Sequence, residues 1–229
     1  MKAYVITVFS DQYSVSSARA TVASARQMTD DLHIEIVKAE TPSSTYDWNY
    51  TYPLEGETKE EYGMKLVGYR ANDHRKIMAC SLSHLKLWDL CVKNDEPIMI
   101  LEHDSIFTRK FRPSKVWNQI EDGEIVMIND PRGATRRGNQ YHENIIKWDF
   151  GVNFVDGVNG PDDKNPDGLA GNSAYVITPS AARQAAELQR KIGLWPNDAL
   201  LCKQFFPRQL KSYYPYITRV EQRKSTTTG

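Results

Sequence analysis

Cysteine is scarce in this chain. The three residues among 229, Cys80, Cys91 and Cys202, have neither the paired spacing of a metal knuckle nor the density of a disulfide scaffold. They read as small buried residues in a reducing compartment. Net charge is missing too. Lys plus Arg (29) balance Asp plus Glu (29), so no overall field draws the protein to a polyanion and any bound anion must be held locally. No apolar run approaches a membrane span, and the opening MKAYVITVFSDQ lacks the apolar stretch and small-residue cleavage site of a secretory signal. These absences point to the cytosol, of a cell or of an infected host. The histidines show no HxxxH or HxH spacing, which speaks against zinc, and no internal repeat is present.

What is there is enough apolar material for a real core: 40% of residues are hydrophobic and 10% aromatic. AYVITVF (3–9) reads as a first core strand. SVSSARATVASARQM follows with Ser and Thr caps and with Val15, Ala18, Val22 and Ala25 at helical spacing. HIEIVKA (33–39) alternates like a strand with one wetter face, and 41–58, rich in Pro, Gly and Ser, reads as a loop. From Asn72 or Asp73 a second helix runs through Met78, Leu82, Leu85 and Val92 to a turn at 94–97. IMIL (98–101) is a short continuous apolar run of the kind found in central parallel strands, and EIVMIND (124–130) resembles it. Strands alternating with helices predict an α/β fold with a mostly parallel central sheet flanked by helices, one domain over 1–224 with a disordered tail at 225–229. Residues 131–170 are long and irregular, the mark of a functional loop region, with a strand at 174–177 and a helix after it. LWPNDALLCKQF reads as a short helix capped by Asn197 or Asp198.

The chemistry gathers where IMIL ends in Glu102, His103 and Asp104. Open α/β sheets bind ligands beyond the carboxyl ends of their strands. Strand alternation would put Glu102 and Asp104 on one side and His103 on the other, unless the chain has already left the sheet. Two carboxylates on one side suit a hard divalent cation, Mn²⁺ or Mg²⁺, with further ligands from substrate phosphates. The competing reading is that they cap the next turn or pair with Arg109 or Lys110.

The run RKIMACSLSHLKLWDLCVKNDEPIMILEHDSIF (75–107) resembles the core of glycosyltransferase family 25, the lipopolysaccharide and collagen-type sugar transferases. Cys80, Leu82, Ser83, His84 and Leu85 match that family's Cys-Ala-Leu-Ser-His-Leu helix, and Glu102 and Asp104 match its Glu-Asp-Asp strand end. GNSAYVITPSAA (171–182) resembles the family's Gly-x-x-Tyr-x-Ile segment, and Pro196 to Asp198 its Pro-x-Asp. His103 replaces the middle acid, and Lys76-Ile77 replace a Gly-Glu that usually opens the helix. The resemblance implies a GT-A-type nucleotide-binding domain that moves a hexose from a UDP-sugar to an acceptor hydroxyl with inversion, assisted by a divalent metal.

In that family reading Asp104 binds the metal with Glu102 beside it, and a carboxylate serves as base: Asp198 first, Asp130 second. Asp198 is equally readable as a helix N-cap. The crevice beyond Val8, Phe9 and Ser10 would receive the nucleobase and ribose. Arg19 and Arg75 are candidates for the diphosphate or else solvated helix charges. Ser83 and His84 would hold the helix against the strand loop, His84 having the alternative of an active-site donor, and His103 stands at the nucleotide. Arg132, Arg136 and Arg137 with Tyr141 and Trp148 would form an acceptor lid for a glycan or another hydroxyl-bearing partner. The same residue types could grip nucleic acid, against which the neutral charge argues without excluding it. A degenerate nucleotide- or glycan-binding member of the family is the other alternative.

Overall fold

A computed structural model of the chain describes residues 1–44, 58–61, 64–67, 73–134, 137–159, 164–168 and 173–221. Most of the expected 41–58 loop, Arg136 and the 225–229 tail lie outside them. Strand β1 (Lys2–Thr7) leads into helix α1 (Gln12–Met28) and β2 (His33–Lys38), and β3 (Thr58–Glu61) pairs with β4 (Met64–Val67) as a separate hairpin. Helix α2 (His74–Asn94) precedes β5 (Ile98–Glu102), β6 (Ser105–Phe107), α3 (Pro113–Trp117) and β7 (Ile125–Met127). Then come α4 (Gly138–Ile145), β8 (Gly151–Phe154), β9 (Ala174–Ile177), α5 (Pro179–Ile192), α6 (Asn197–Leu200), β10 (Leu210–Tyr214) and β11 (Thr218–Val220).

Seven strands form one sheet in the order β2-β1-β5-β9-β7-β10-β8. Five run in one direction, while β9 and the edge strand β8 run against them. The sheet is thus mostly parallel, as expected, but IMIL has a parallel neighbour only on the β1 side. Burial explains its continuous apolar run. Along β5, Ile98 and Ile100 face a core cluster shared with α2 and α5, while Met99 and Leu101 face a second cluster shared with α1 and α3. Strands β1, β7 and β9 divide their residues in the same alternating way, so helices cover both faces.

Three local expectations are corrected. Helix α1 is capped by Asp11, whose Oδ1 accepts from the Tyr13 amide at 2.9 Å, and not by the serines or threonine that follow. Helix α6 begins after Pro196 with no side-chain cap, so Asn197 and Asp198 do not serve as one. The 131–170 region holds α4 and β8, because Tyr141 and Ile145, four residues apart, bury one face of an otherwise polar turn.

Candidate active site

Strand β5 leaves the sheet at Glu102, and His103-Asp104 form the turn into β6. The strict alternation of a strand therefore stops before Asp104. The turn is pinned from three sides. Thr21 of α1 donates its hydroxyl to the His103 carbonyl (2.8 Å), Glu102 N–H donates to the Ser173 carbonyl (2.8 Å), and Glu221 N–H donates to the Asp104 carbonyl (3.0 Å). A cleft of about 620 Å³ opens at this edge. Among the described residues, all three members of the EHD turn line it, with Val8 and Ser10 beyond β1, Lys76, Cys80, Ser83 and His84 of α2, and Gly133 and Ala134 opposite.

Asp104 Oδ1 is buried and has no hydrogen-bond partner among the described residues, so the competing cap or Arg109 ion pair does not claim that oxygen. Burial first, and the Glu102 charge second, push the Asp104 carboxyl up to about 7. The His103 ring meets Tyr13 edge-on with centroids 6.0 Å apart, and burial lowers its pKa against the pull of Glu102 and Asp11.

His84 is fully buried below the cleft. Its Nδ1 lies 2.8 Å from the Tyr175 hydroxyl, which also receives Trp88 Nε1–H at 2.9 Å. On the other side of the ring Nε2 has no hydrogen-bond partner among the described residues and lies 3.8 Å from Glu102 Oε1, beyond hydrogen-bond length. Ser83 ties α2 to the chain just after β2: its Oγ accepts from Glu40 N–H (2.9 Å) and donates to the Ala79 carbonyl (2.8 Å).

Asp198 stands at the start of α6, where Asn197 Oδ1 accepts from the Cys80 thiol at 3.6 Å. It is exposed and, like Arg19 and Arg75, is not among the residues that line the cleft, although protein crowds around it. That crowding, then the Glu102 charge, raises its carboxyl, with the Ala199 amide and His84 opposing and solvent contact moderating the shift. Gly168 packs against it so closely that a Cβ there would sit 2.4 Å from the Asp198 carbonyl oxygen.

Other sequence candidates are not brought together. Asp130 lies in a separate pocket with His142 and Tyr216, gripped by Arg132 Nε and Nη2 at 2.9 and 2.6 Å. Burial pushes the Asp130 carboxyl up, but Arg132 outweighs it and holds it below the ordinary range. Arg19 is exposed on α1, and neither it nor Phe9, 54% exposed, lines the cleft. Arg75 also stays out of the lining and is paired with Asp73. Tyr141 is a core residue hydrogen-bonded to Asp167, so it is no lid aromatic, whereas Trp148 is 46% exposed. Arg137 bonds the Val158 carbonyl and the Asn159 side chain. Sequence reasoning missed Cys80 as a cleft residue and Tyr175 as the partner of His84. The four-residue spacing of Cys80 and His84, which sets both on one helix face, could have pointed to the first.

No curated protein matches the sequence. Solved structures with a similar backbone include a galactosyltransferase, LgtC, in complex with donor and acceptor sugar analogs, with a TM-score of 0.47, 10% identity, and 93% of this chain and 73% of that one covered. A putative glucose-1-phosphate thymidylyltransferase from Bacillus anthracis in complex with a sucrose has a TM-score of 0.47 and 13% identity, covering 96% and 87%. Mouse xyloside xylosyltransferase 1 has a TM-score of 0.42 and 10% identity, covering 92% and 84%. These likenesses are distant. The sequence profile of glycosyltransferase family 25 (LPS biosynthesis protein) is the firmer match, spanning residues 16–201, from within α1 to the end of α6. With most of its length inside that profile, the chain belongs to glycosyltransferase family 25 and is a glycosyltransferase.

Proposed function

We propose that the cleft binds a UDP-sugar and that the enzyme transfers its hexose, with inversion, to the hydroxyl of a glycan or similar acceptor, with Mn²⁺ or Mg²⁺ bound by Asp104 and Glu102. The observation that carries the reading is the buried, unpartnered Asp104 Oδ1 beside the Glu102 carboxylate. Asp104, whose burial and the neighbouring Glu102 charge favour its protonated form, is the kind of acid that a divalent cation relieves, so the residues present fit the metal. Bound there, the cation would neutralise charge developing on the departing diphosphate. A volume of about 620 Å³ is within the range of small-molecule sites.

The chain's own residues divide the remaining work. The cleft wall at Val8 and Ser10 receives the nucleoside. The turn at 103–104, tied to α1 and β11, keeps the Asp104 carboxylate from swinging into solvent. Asp198 takes the proton of the attacking hydroxyl at its carboxylate oxygen, and its raised pKa makes it a better acceptor than an ordinary surface aspartate. Trp88 and Tyr175 hold the His84 ring in one orientation behind Glu102.

A donor screen by released UDP, with and without Mn²⁺, tests this directly. Metal-stimulated turnover of one UDP-hexose is expected. Asp104→Ala should lower it by at least about 100-fold, as losing a metal ligand or charge-stabilising group does, with the circular dichroism spectrum unchanged. Full metal-stimulated activity in that variant would refute the assignment. His103, standing in the cleft where the family has an acid, favours one second reading, a binder without turnover. Calorimetry with UDP and Mn²⁺ would then show tight binding while no donor is consumed.

A further inference from the structure

The geometry points to a thiolate–imidazole–carboxylate site for a zinc-class transition metal, built by Cys80, His84 and Glu102 on the floor of the cleft. Cys80 and His84 are four residues apart on α2, which stacks them one turn apart on one face. The end of β5 brings Glu102 to that face. One donor atom from each, sulfur, ring nitrogen and carboxylate oxygen, all lie within 4.8 Å of one another, and the Nε2 to Oε1 separation is 3.8 Å. Bonds of about 2.0–2.3 Å in a tetrahedral zinc shell set donors about 3.3–3.7 Å apart, so small side-chain rotations close the set.

A second observation is independent of the clustering. His84 Nε2 is buried, on a side chain with 1% of its surface exposed, faces Glu102 and has no hydrogen-bond partner among the described residues. A buried polar atom of this kind is normally satisfied. The opposite ring nitrogen is already supported as metal-bound imidazoles are: Nδ1–H can donate to the Tyr175 oxygen, whose second lone pair takes Trp88 Nε1–H. That tautomer leaves the Nε2 lone pair for the metal.

Cys80 supplies selectivity. Burial, then the charges of Glu102 and Asp198, push its thiol up and favour the protonated form. The same two negative charges attract a dication. On binding, the S–H bond breaks, a sulfur–metal bond forms, and the proton leaves to solvent. Sulfur and imidazole favour zinc over the hard Mn²⁺ or Mg²⁺, which take oxygen ligands. Three protein ligands leave the fourth position to water from the cleft. Glu102 is shared with the Asp104 site, so a cation at one draws it from the other.

Cobalt(II) is the probe, because it fills zinc sites and reports a bound thiolate by a near-ultraviolet charge-transfer band. Titration of the 229-residue chain without nucleotide should produce that band at one equivalent, and Zn²⁺ should abolish it. Cys80→Ser should eliminate the band, and His84→Gln should weaken cobalt binding by about 10-fold or more. Asp104→Asn should keep the band while losing sugar transfer, so failure of the transferase reading and failure of this one are separable. No band in the wild type at saturating cobalt, or an undiminished band in Cys80→Ser, overturns the site. Should the cysteine variant fail to fold, X-ray absorption of the zinc-loaded wild type decides. One sulfur and one imidazole in the first shell support the site, and an all-oxygen shell refutes it.

Discussion

Asp104 governs the behaviour of the site at the scale of single residues. Its carboxyl is raised to about 7 in the fold against an ordinary value of 3.8, so the folded metal-free chain holds that proton more tightly than the unfolded one. The stabilising preference is complete below pH 3.8 and is lost as pH rises to about 7. Asp104→Asn keeps a neutral group there. The stability difference between variant and wild type, from urea unfolding at pH 5 and at pH 8, should therefore shift in the variant's favour at the higher pH, and saturating Mn²⁺ should reverse that shift. An unchanged difference would mean that Asp104 is an ordinary exposed acid. Tyr175 is the second residue to test. Tyr175→Phe leaves both His84 Nδ1 and Trp88 Nε1–H without their partner, at a cost of about 1–3 kcal/mol for each buried group, measurable by denaturant titration.

Elements carry these residues to one another. Asp11 both starts α1 and lines the cleft, so Asp11→Ala should cost about 1 kcal/mol of stability through the lost cap. Gly168 does comparable work for α6. A Cβ there would press on the Asp198 carbonyl oxygen at 2.4 Å, a backbone atom with no rotamer to yield. Gly168→Ala should displace Asp198, lowering kcat more than it raises KM for the donor, and equal kcat in the variant would argue against Asp198 as the base. The helix capped at Asp73 and the EHD strand end could be located in the sequence because capping chemistry and continuous apolar runs are local. Helix α4 could not, since Tyr141 and Ile145 are its only buried large apolar side chains, beside a buried Gly138.

At the scale of the whole molecule, β9 is the seam. It runs antiparallel between β5 and β7, pairing with both, so the half that holds β1, β2 and β5 is joined to the half that holds β7, β10 and β8 through a strand late in the chain. Loss of that seam should unfold both halves together. Far-ultraviolet dichroism and the fluorescence of the buried Trp88 and Trp195 should report one coincident denaturation transition. Ile177→Ala, at a fully buried position of the seam, should lower the midpoint of both signals by the same amount and cost about 2–5 kcal/mol. Separate midpoints would mean that the halves fold as independent units.

Local patterns alone determined the α/β class, the double-sided burial of IMIL and the delivery of Glu102 and Asp104 to a sheet edge, because periodicity and strand ends are properties of short stretches. Which acids meet was decided only by the tertiary structure. Asp130 is expected to end a strand as Glu102 does, but β7 stops at Met127, β9 stands between β7 and β5, and Arg132 claims the Asp130 carboxylate. Cys80 and His84 converge on Glu102 through packing of α2 against the end of β5, and Asn197 of α6 reaches Cys80 across 117 positions of sequence, contacts that no local pattern encodes.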